Sequence, residues 1–326
     1  MTEADAPPVR RVRLDDEREL VVRAARPDDV DGLVAMYDEL SDEDVYLRFF
    51  SPHRPGRELF ERIATIDQRG GAALVAEVID DKGATIVADA WYSMLPDGDG
   101  ELAITVAAPW RGWLGSFLLD ALLDVAAQRG VRNLQAEILL RNRPMMALVR
   151  RRGCVTLADD GPSVRVAIGS GGRPPTWAPA ASHPRVLVEG RRGWRALAEA
   201  ERVGLDVLVC PGPPADGNCP ALSHERCPLA ADADAVVISI PTNSERTREL
   251  LRAHRELHPT VPVFVEGPRE DVEDVASDGA VPLPSTLSDA EIVQRLLRVL
   301  GEHPHRDDHH DARPDLVTAP STGATS

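Results

Sequence analysis

ELAITVAAPWRGWLGSFLLDALLDVAAQRG, Glu101 to Gly130, reads as strand, tight turn and helix. Leu102 to Ala107 is apolar and β-branched at its centre, and Pro109 ends the strand because proline has no N–H to give a ladder. The turn Trp110-Arg111-Gly112-Trp113-Leu114-Gly115-Ser116 then feeds a helix from about Ser116 to Gln128. Phe117, Leu118, Ala121, Leu122 and Val125 recur at helical spacing, and Gly130 is a C-terminal stop. A glycine-bearing turn at a helix N-terminus presents free N–H groups at the positive end of the dipole. It is either an anion site, usually for phosphate or pyrophosphate, or an ordinary β-α connection.

Upstream, Val9 to Leu14 and Glu19 to Ala24 pair as short strands across Asp15-Asp16-Glu17. Pro27 with Asp28 and Asp29 marks a helix start, and Val30, Leu33, Val34, Tyr37 and Leu40 line one face of that helix. Ser41 and Asp44 are spaced as a capping box, with aspartate in the acid's place, for a short aromatic-rich helix that ends at Ser51-Pro52. A helix from about Gly56 to Ile66 leads to strands Ala72 to Ile79 and Thr85 to Tyr92, joined by a hairpin turn at Asp80 to Gly83. Downstream come a strand from Asn133 to Leu140, a helix from Arg143 to Arg151, and two short strands around Val155 and Val164.

The length of 326 residues predicts two domains of ordinary size, and an apolar fraction of 43% suffices for buried cores. No apolar run approaches the roughly 18 residues of a membrane span. The opening MTEADAPPVRRVRLDDE has no hydrophobic signal core, so a cytoplasmic, soluble protein is expected. A net charge of −16 argues against nonspecific nucleic-acid binding, which draws on phosphate neutralisation. Four cysteines in a chain this long make no disulfide scaffold.

Three segments between Glu19 and Ile168 resemble the GNAT superfamily of acyl-CoA-dependent N-acyltransferases. VRAARPDDVDGLVAMYDELSDEDVYLRFFSP, Val22 to Pro52, is similar to the opening of the GNAT domain in bacterial Pat-type protein lysine acetyltransferases. ELAITVAAPWRGWLGSFLL, Glu101 to Leu119, stands at the place of the acyl-CoA pyrophosphate motif. RNRPMMALVRRRGC, Arg141 to Cys154, resembles the following helix.

The resemblance implies an α/β fold with a mixed, mostly antiparallel sheet and flanking helices, acetyl-CoA as co-substrate, and an amine acceptor, either a protein lysine or a small molecule. It places the general base at Glu101, which accepts the proton of the attacking amine directly or through water. Backbone N–H groups around Val106 and Ala107 would polarise the thioester carbonyl. Arg111, Gly112, Trp113, Leu114, Gly115 and Ser116 form the pyrophosphate turn. Asn142 either meets the pantetheine arm or caps its own helix. The family pattern Q/R-x-x-G-x-G/A is altered here: Leu114 or Trp113 stands where the middle glycine belongs, depending on register. The competing expectation is therefore a catalytically degenerate sensor or regulatory domain that binds CoA or another ligand without acyl transfer.

Residues 1–18 read as an extension with a short strand, 19–169 as the acyltransferase-like domain, and 170–184 as a Gly/Pro-rich linker. In 185–301 continuous apolar strands, VLV at Val186, DVLVC at Asp206, AVVISI at Ala235 and PVFVE at Pro262, alternate with helices about Gly193 to Val203, Ser244 to Leu257 and Ser288 to Leu300. Ala280 to Leu283 is a fifth candidate strand. That rhythm predicts a doubly wound parallel sheet, similar to receiver and flavodoxin-like domains but without the receiver's acidic cluster, acceptor aspartate and lysine; its expected role is regulation. Its loop holds Cys210, Cys219, His224 and Cys227, a Cys3His set whose spacing matches no standard zinc finger. Zinc, a Cys219–Cys227 redox pair and isolated thiols all remain open. Residues 302–326 read as a polar, disordered tail.

Overall fold

The structure is a computed structural model; it describes residues 9–66, 70–159, 161–177, 183–190, 194–211, 219–223, 226–239, 245–276 and 279–302. The extension before residue 9, the tail after 302, part of the linker, most of the cysteine loop and the ends of some expected elements lie outside them.

Among the described residues the first half holds eight strands: β1 Arg10–Arg13, β2 Glu19–Ala24, β3 Gly71–Asp80, β4 Gly83–Met94, β5 Gly100–Val106, β6 Asn133–Leu139, β7 Val155–Asp159 and β8 Ser163–Gly169. Its helices are α1 Val30–Asp38, α2 Asp42–Phe49, α3 Arg57–Ala64, α4 Leu114–Gln128 and α5 Arg143–Arg150. β1 to β5 run as an antiparallel meander, and β5 meets β6 in parallel. The hairpin joining β3 and β4 closes at Asp80↔Gly83, so Asp81 and Lys82 make its turn.

Strand alternation sorts the two faces. Leu74, Ala76, Leu102, Leu134 and Ala136 pack under α4, whose Leu114, Leu118, Leu119 and Leu122 are fully buried. Ala73 and Val75 face α1 to α3 through Leu33, Tyr37, Phe60 and Ile63. Truncating one such leucine, Leu118 for instance, costs about 2–5 kcal/mol by lost burial and the cavity left behind. The Ser41 box forms: the Asp44 N–H donates to Ser41 Oγ at 3.1 Å, and the Ser41 N–H to Asp44 Oδ2 at 3.3 Å.

α4 starts at Leu114, two residues before the expected Ser116. Gly112 turns the chain with φ +104°, and burial of Leu114 in the core draws the next residues into helix.

Beyond the linker lie β9 Arg185–Glu189, α6 Leu197–Arg202, β10 Asp206–Cys210, α7 Pro228–Ala231, β11 Ala235–Ile238, α8 Glu245–Leu257, β12 Val263–Gly267, α9 Arg269–Ala276, β13 Val281–Pro284 and α10 Asp289–Glu302. α6 is shorter than expected: the Trp194 indole donates to Glu266 Oε2 at 3.1 Å and Arg195 pairs with Glu266 at 2.6 Å, which holds both residues ahead of the helix. β9 to β13 pair in parallel. Leu187, Leu208, Val236 and Val265 pack with Leu250 and Val272 on one face; Val188, Val207, Val237 and Phe264 pack with Leu197 and Ile292 on the other.

One thirteen-stranded sheet runs through the described residues in the order β1-β2-β3-β4-β5-β6-β8-β7-β10-β9-β11-β12-β13. The junction is antiparallel, Thr156 opposite Val209, and the Trp177 indole donates to the Leu229 carbonyl at 2.8 Å beside it.

Candidate functional site

β5 and β6 come apart. Along its whole length β5 pairs with β4, but it meets β6 only at Gly100↔Leu134 and Glu101↔Gln135. β6 continues paired with β8 through Leu139, so from Leu102 to Val106 one edge of β5 faces no strand. Gly100 permits the close contact where pairing still holds: a Cβ there would lie 2.7 Å from Leu134 Cδ2 and 2.8 Å from Tyr92 Cδ2.

The ladder decides which backbone groups face this gap. The Ala107 N–H donates to the Val87 carbonyl at 2.9 Å, so Ala107 is engaged with β4 and is not available to polarise a bound carbonyl. That corrects one of the two donors expected here. Antiparallel alternation turns the neighbouring Val106 N–H and C=O to the β6 side, and Arg111 Nε donates to that carbonyl at 3.3 Å.

The gap runs into the first turn of α4. Phe117 N–H reaches Trp113 O at 3.1 Å, which leaves the N–H groups of Leu114, Gly115 and Ser116 at the free end of the helix, and Trp113 supplies no side-chain cap. The bulky residues that replace the motif's glycine are directed elsewhere. Leu114 is buried in the core, and Trp113 is exposed and packs its ring 6.1 Å from Phe117. Gly115 faces inward: a Cβ there would sit 3.8 Å from Val106 and 4.0 Å from Leu148 of α5. Asn142 caps α5, its Oδ1 accepting from the Met145 N–H at 3.2 Å.

Three charged contacts lash α2 across the open end. Arg111, after β5, pairs with Asp44 at 2.9 Å; Arg141, after β6, pairs with Glu43 at 3.7 Å and lies 4.4 Å over the Tyr46 ring. Arg152 was not singled out by sequence. Its guanidinium donates to Ser116 Oγ at 2.8 Å and Ser116 O at 3.0 Å while pairing with Asp120 at 2.7 Å, which sets a positive charge against the first turn of α4. Its signal in the sequence is only a run of arginines.

Glu101 is exposed on the face opposite α4 and lines a cavity of about 460 Å³ with Asp97, Gln135, Glu137 and Arg165. Further along that face, the Tyr37 hydroxyl donates to Asp89 Oδ1 at 2.9 Å and lies 2.6 Å from Thr105 Oγ1. Burial pushes the Asp89 carboxyl up to about 6, against the lowering effects of Arg48 and of hydrogen bonds from Tyr37 and Thr105. An aspartate inside the apolar run TIVADAW was the available sequence signal.

Of the cysteine loop, Cys219 and Cys227 are buried and Cys210 is half-buried at the end of β10; His224 lies outside the described residues. Burial pushes the Cys227 thiol up to about 11, which keeps it protonated at neutral pH. No group of three or more His, Cys, Asp or Glu residues among those described is arranged to hold a metal. No described helix is long and apolar enough to cross a membrane.

No family model matches the chain. Over 144 residues it is 30% identical to acetyltransferase Pat of Mycolicibacterium smegmatis, which covers 43% of this chain and 42% of that one. Over 156 residues it is 28% identical to acetyltransferase PA5475 of Pseudomonas aeruginosa, covering 47% of this chain and 84% of that one. The GNAT domain of S. lividans PAT aligns with a TM-score of 0.45 at 26% identity, over 52% of this chain and 99% of that domain. The chain thus spans under half of the Mycolicibacterium relative's length, and the similarity to these acetyltransferases covers about half of the chain.

Proposed function

We propose that the chain is an acetyl-CoA-dependent N-acyltransferase acting on an amine, with residues 19–169 as the acyltransferase domain and 185–301 as a doubly wound regulatory module. The observation that carries this reading is the parting of β5 from β6 at Glu101, in a gap that ends on the uncapped first turn of α4. Such a gap takes an extended thioester arm, and such a helix end takes a pyrophosphate. The first-turn N–H groups of Leu114 to Ser116 hold the phosphates, with Arg152 adding positive charge beside them. The Val106 N–H polarises the thioester carbonyl, and Glu101 accepts the amine proton through water. The acceptor is a protein lysine or a small amine; two relatives are named acetyltransferases.

One observation favours a second reading, a degenerate domain that binds CoA or another ligand without acyl transfer. The Arg111 guanidinium is committed to Asp44 and to the Val106 carbonyl, where a phosphate contact was expected.

Calorimetric titration of acetyl-CoA into the full chain, followed by acetyl transfer to a panel of amines, separates the readings. Saturable binding with transfer that falls about a hundredfold or more in Glu101→Gln supports the enzyme. Binding without transfer to any amine, or no binding by a folded chain, supports the second reading; transfer overturns it.

A further inference from the structure

A second cavity, of about 420 Å³, opens between α2, α3 and β4, lined by Arg48, Phe49, Glu58, Leu59, Arg62 and Trp91. Its most unusual member is Arg48. The guanidinium lies 4.9 Å from the Phe49 ring centroid and 5.6 Å from that of Trp91, and its charge acts on the buried Asp89 carboxyl. Its Nε and Nη2 are buried and have no hydrogen-bond partner; nor has the buried Trp91 Nε1. Nε and Nη2 are the two parallel donors on one edge of the guanidinium, the pair that grips a carboxylate bidentately. Native structures leave few buried donors unpaired, and three lie here in one place. The charges lining the cavity are two arginines against Glu58, a positive balance in a strongly acidic chain.

The cavity and the proposed reaction centre lie on one face of the sheet. Trp91 pairs with Ala103 and Ser93 with Glu101, so Trp91 and Glu101 share one face of adjacent strands. Sheet spacings put their Cα atoms about 8 Å apart, the span of an amine and a carboxylate separated by about five carbons.

We propose that this cavity is the acceptor's carboxylate subsite: the Nε–Nη2 edge of Arg48, with the Trp91 indole, receives the carboxylate of an ω-amino acid while its amine reaches toward Glu101. The carboxylate site stands on its own geometry; naming its occupant as the acceptor rests on the acyl-transfer reading. The buried Asp89 Oδ2, also unpartnered, is the competing acceptor for that edge.

The test is titration of the full chain, without acetyl-CoA, with ε-aminocaproate and with its neutral amide, followed by calorimetry and indole fluorescence. The acid is expected to bind about tenfold or more tightly than the amide, as a charge-assisted bidentate pair requires. Arg48→Gln is expected to abolish that preference, and Trp91→Phe to remove the fluorescence response. Equal binding of the two probes, or none by either, overturns the proposal from the unmutated protein alone, whatever the folding of the variants. A preference that survives in folded Arg48→Gln overturns it too. Acid-selective binding with no acetyl transfer to any amine would leave the carboxylate site standing and sink the enzyme reading.

Discussion

Arg111 and Asp44 form an ion pair at 2.9 Å that ties the turn after β5 to α2 across the open end of the sheet. The same aspartate closes the capping box of α2, so one carboxylate serves a local and a long-range role.

Arg111→Ala should destabilise the chain by about 0.5–1 kcal/mol near neutral pH, the scale of a partly exposed pair. Burial raises the Asp44 carboxyl, but hydrogen bonds from Arg111 and then Ser41 outweigh it and hold the group below its ordinary value. Stability from a depressed carboxyl is present above its unfolded pKa and lost as pH falls through the folded one. The gap between the urea midpoints of wild type and variant should therefore close as pH falls below the ordinary aspartate value.

Asp89→Asn tests the opposite sign. With its folded value raised to about 6 by burial, the Asp89 carboxyl binds its proton more tightly in the folded chain than in the unfolded one. Its contribution to stability declines as pH rises from about 4 to about 6, by about 3 kcal/mol in total. The variant should lack that decline and be the more stable protein at neutral pH. An unchanged pH profile in denaturant midpoints would show that Asp89 carries no such penalty.

A buried ion pair in the second half supplies a slope that reverses on mutation. His254 Nε2 lies 3.0 Å from Glu189 Oε1, with both side chains almost fully buried. Burial pushes the imidazole down, but the charge and hydrogen bond of Glu189 outweigh it, and the net shift is upward. This contribution is complete below the ordinary histidine value and is lost as pH rises through the raised one. In Glu189→Gln burial acts alone, so that variant should instead lose stability as pH falls below about 6.5. Histidine proton shifts followed by NMR, with unfolding midpoints across the same range, check both slopes.

Two glycines separate conformation from contact. Gly112 has φ +104° with open space where a Cβ would be, so Gly112→Ala should cost about 1–2 kcal/mol through backbone strain alone. Gly100→Ala meets Leu134 and Tyr92 instead, and should force β5 and β6 apart where they still pair. If the proposed gap binds acetyl-CoA, calorimetry should show weakened binding in both, with greater loss of stability for Gly100→Ala.

Much of the first half could be read from local patterns. The strand-turn-helix of Glu101 to Gly130, the Ser41–Asp44 box and the asparagine at the start of α5 depend on groups only a few residues apart. α4 starts earlier than expected because the sequence between Gly112 and Ser116 admits both turn and helix. Burial of Leu114, a long-range event, settled it. Arg48, Asp89, Trp91 and Arg152 gave weak signals, since a side chain's partners come from strands and helices distant in the chain.

The sequence carried the periodicities, breakers and caps, because these act within a turn of helix or along one strand. Tertiary structure alone decided where β5 leaves β6, that the Ala107 N–H goes to β4 while the Val106 N–H faces the gap, and that Arg111 is claimed by Asp44. It also left the Arg48 edge unpaired beside Trp91. Strand register and side-chain pairing are fixed by packing between segments far apart in sequence, and no local pattern encodes which of several compatible partners that packing brings near.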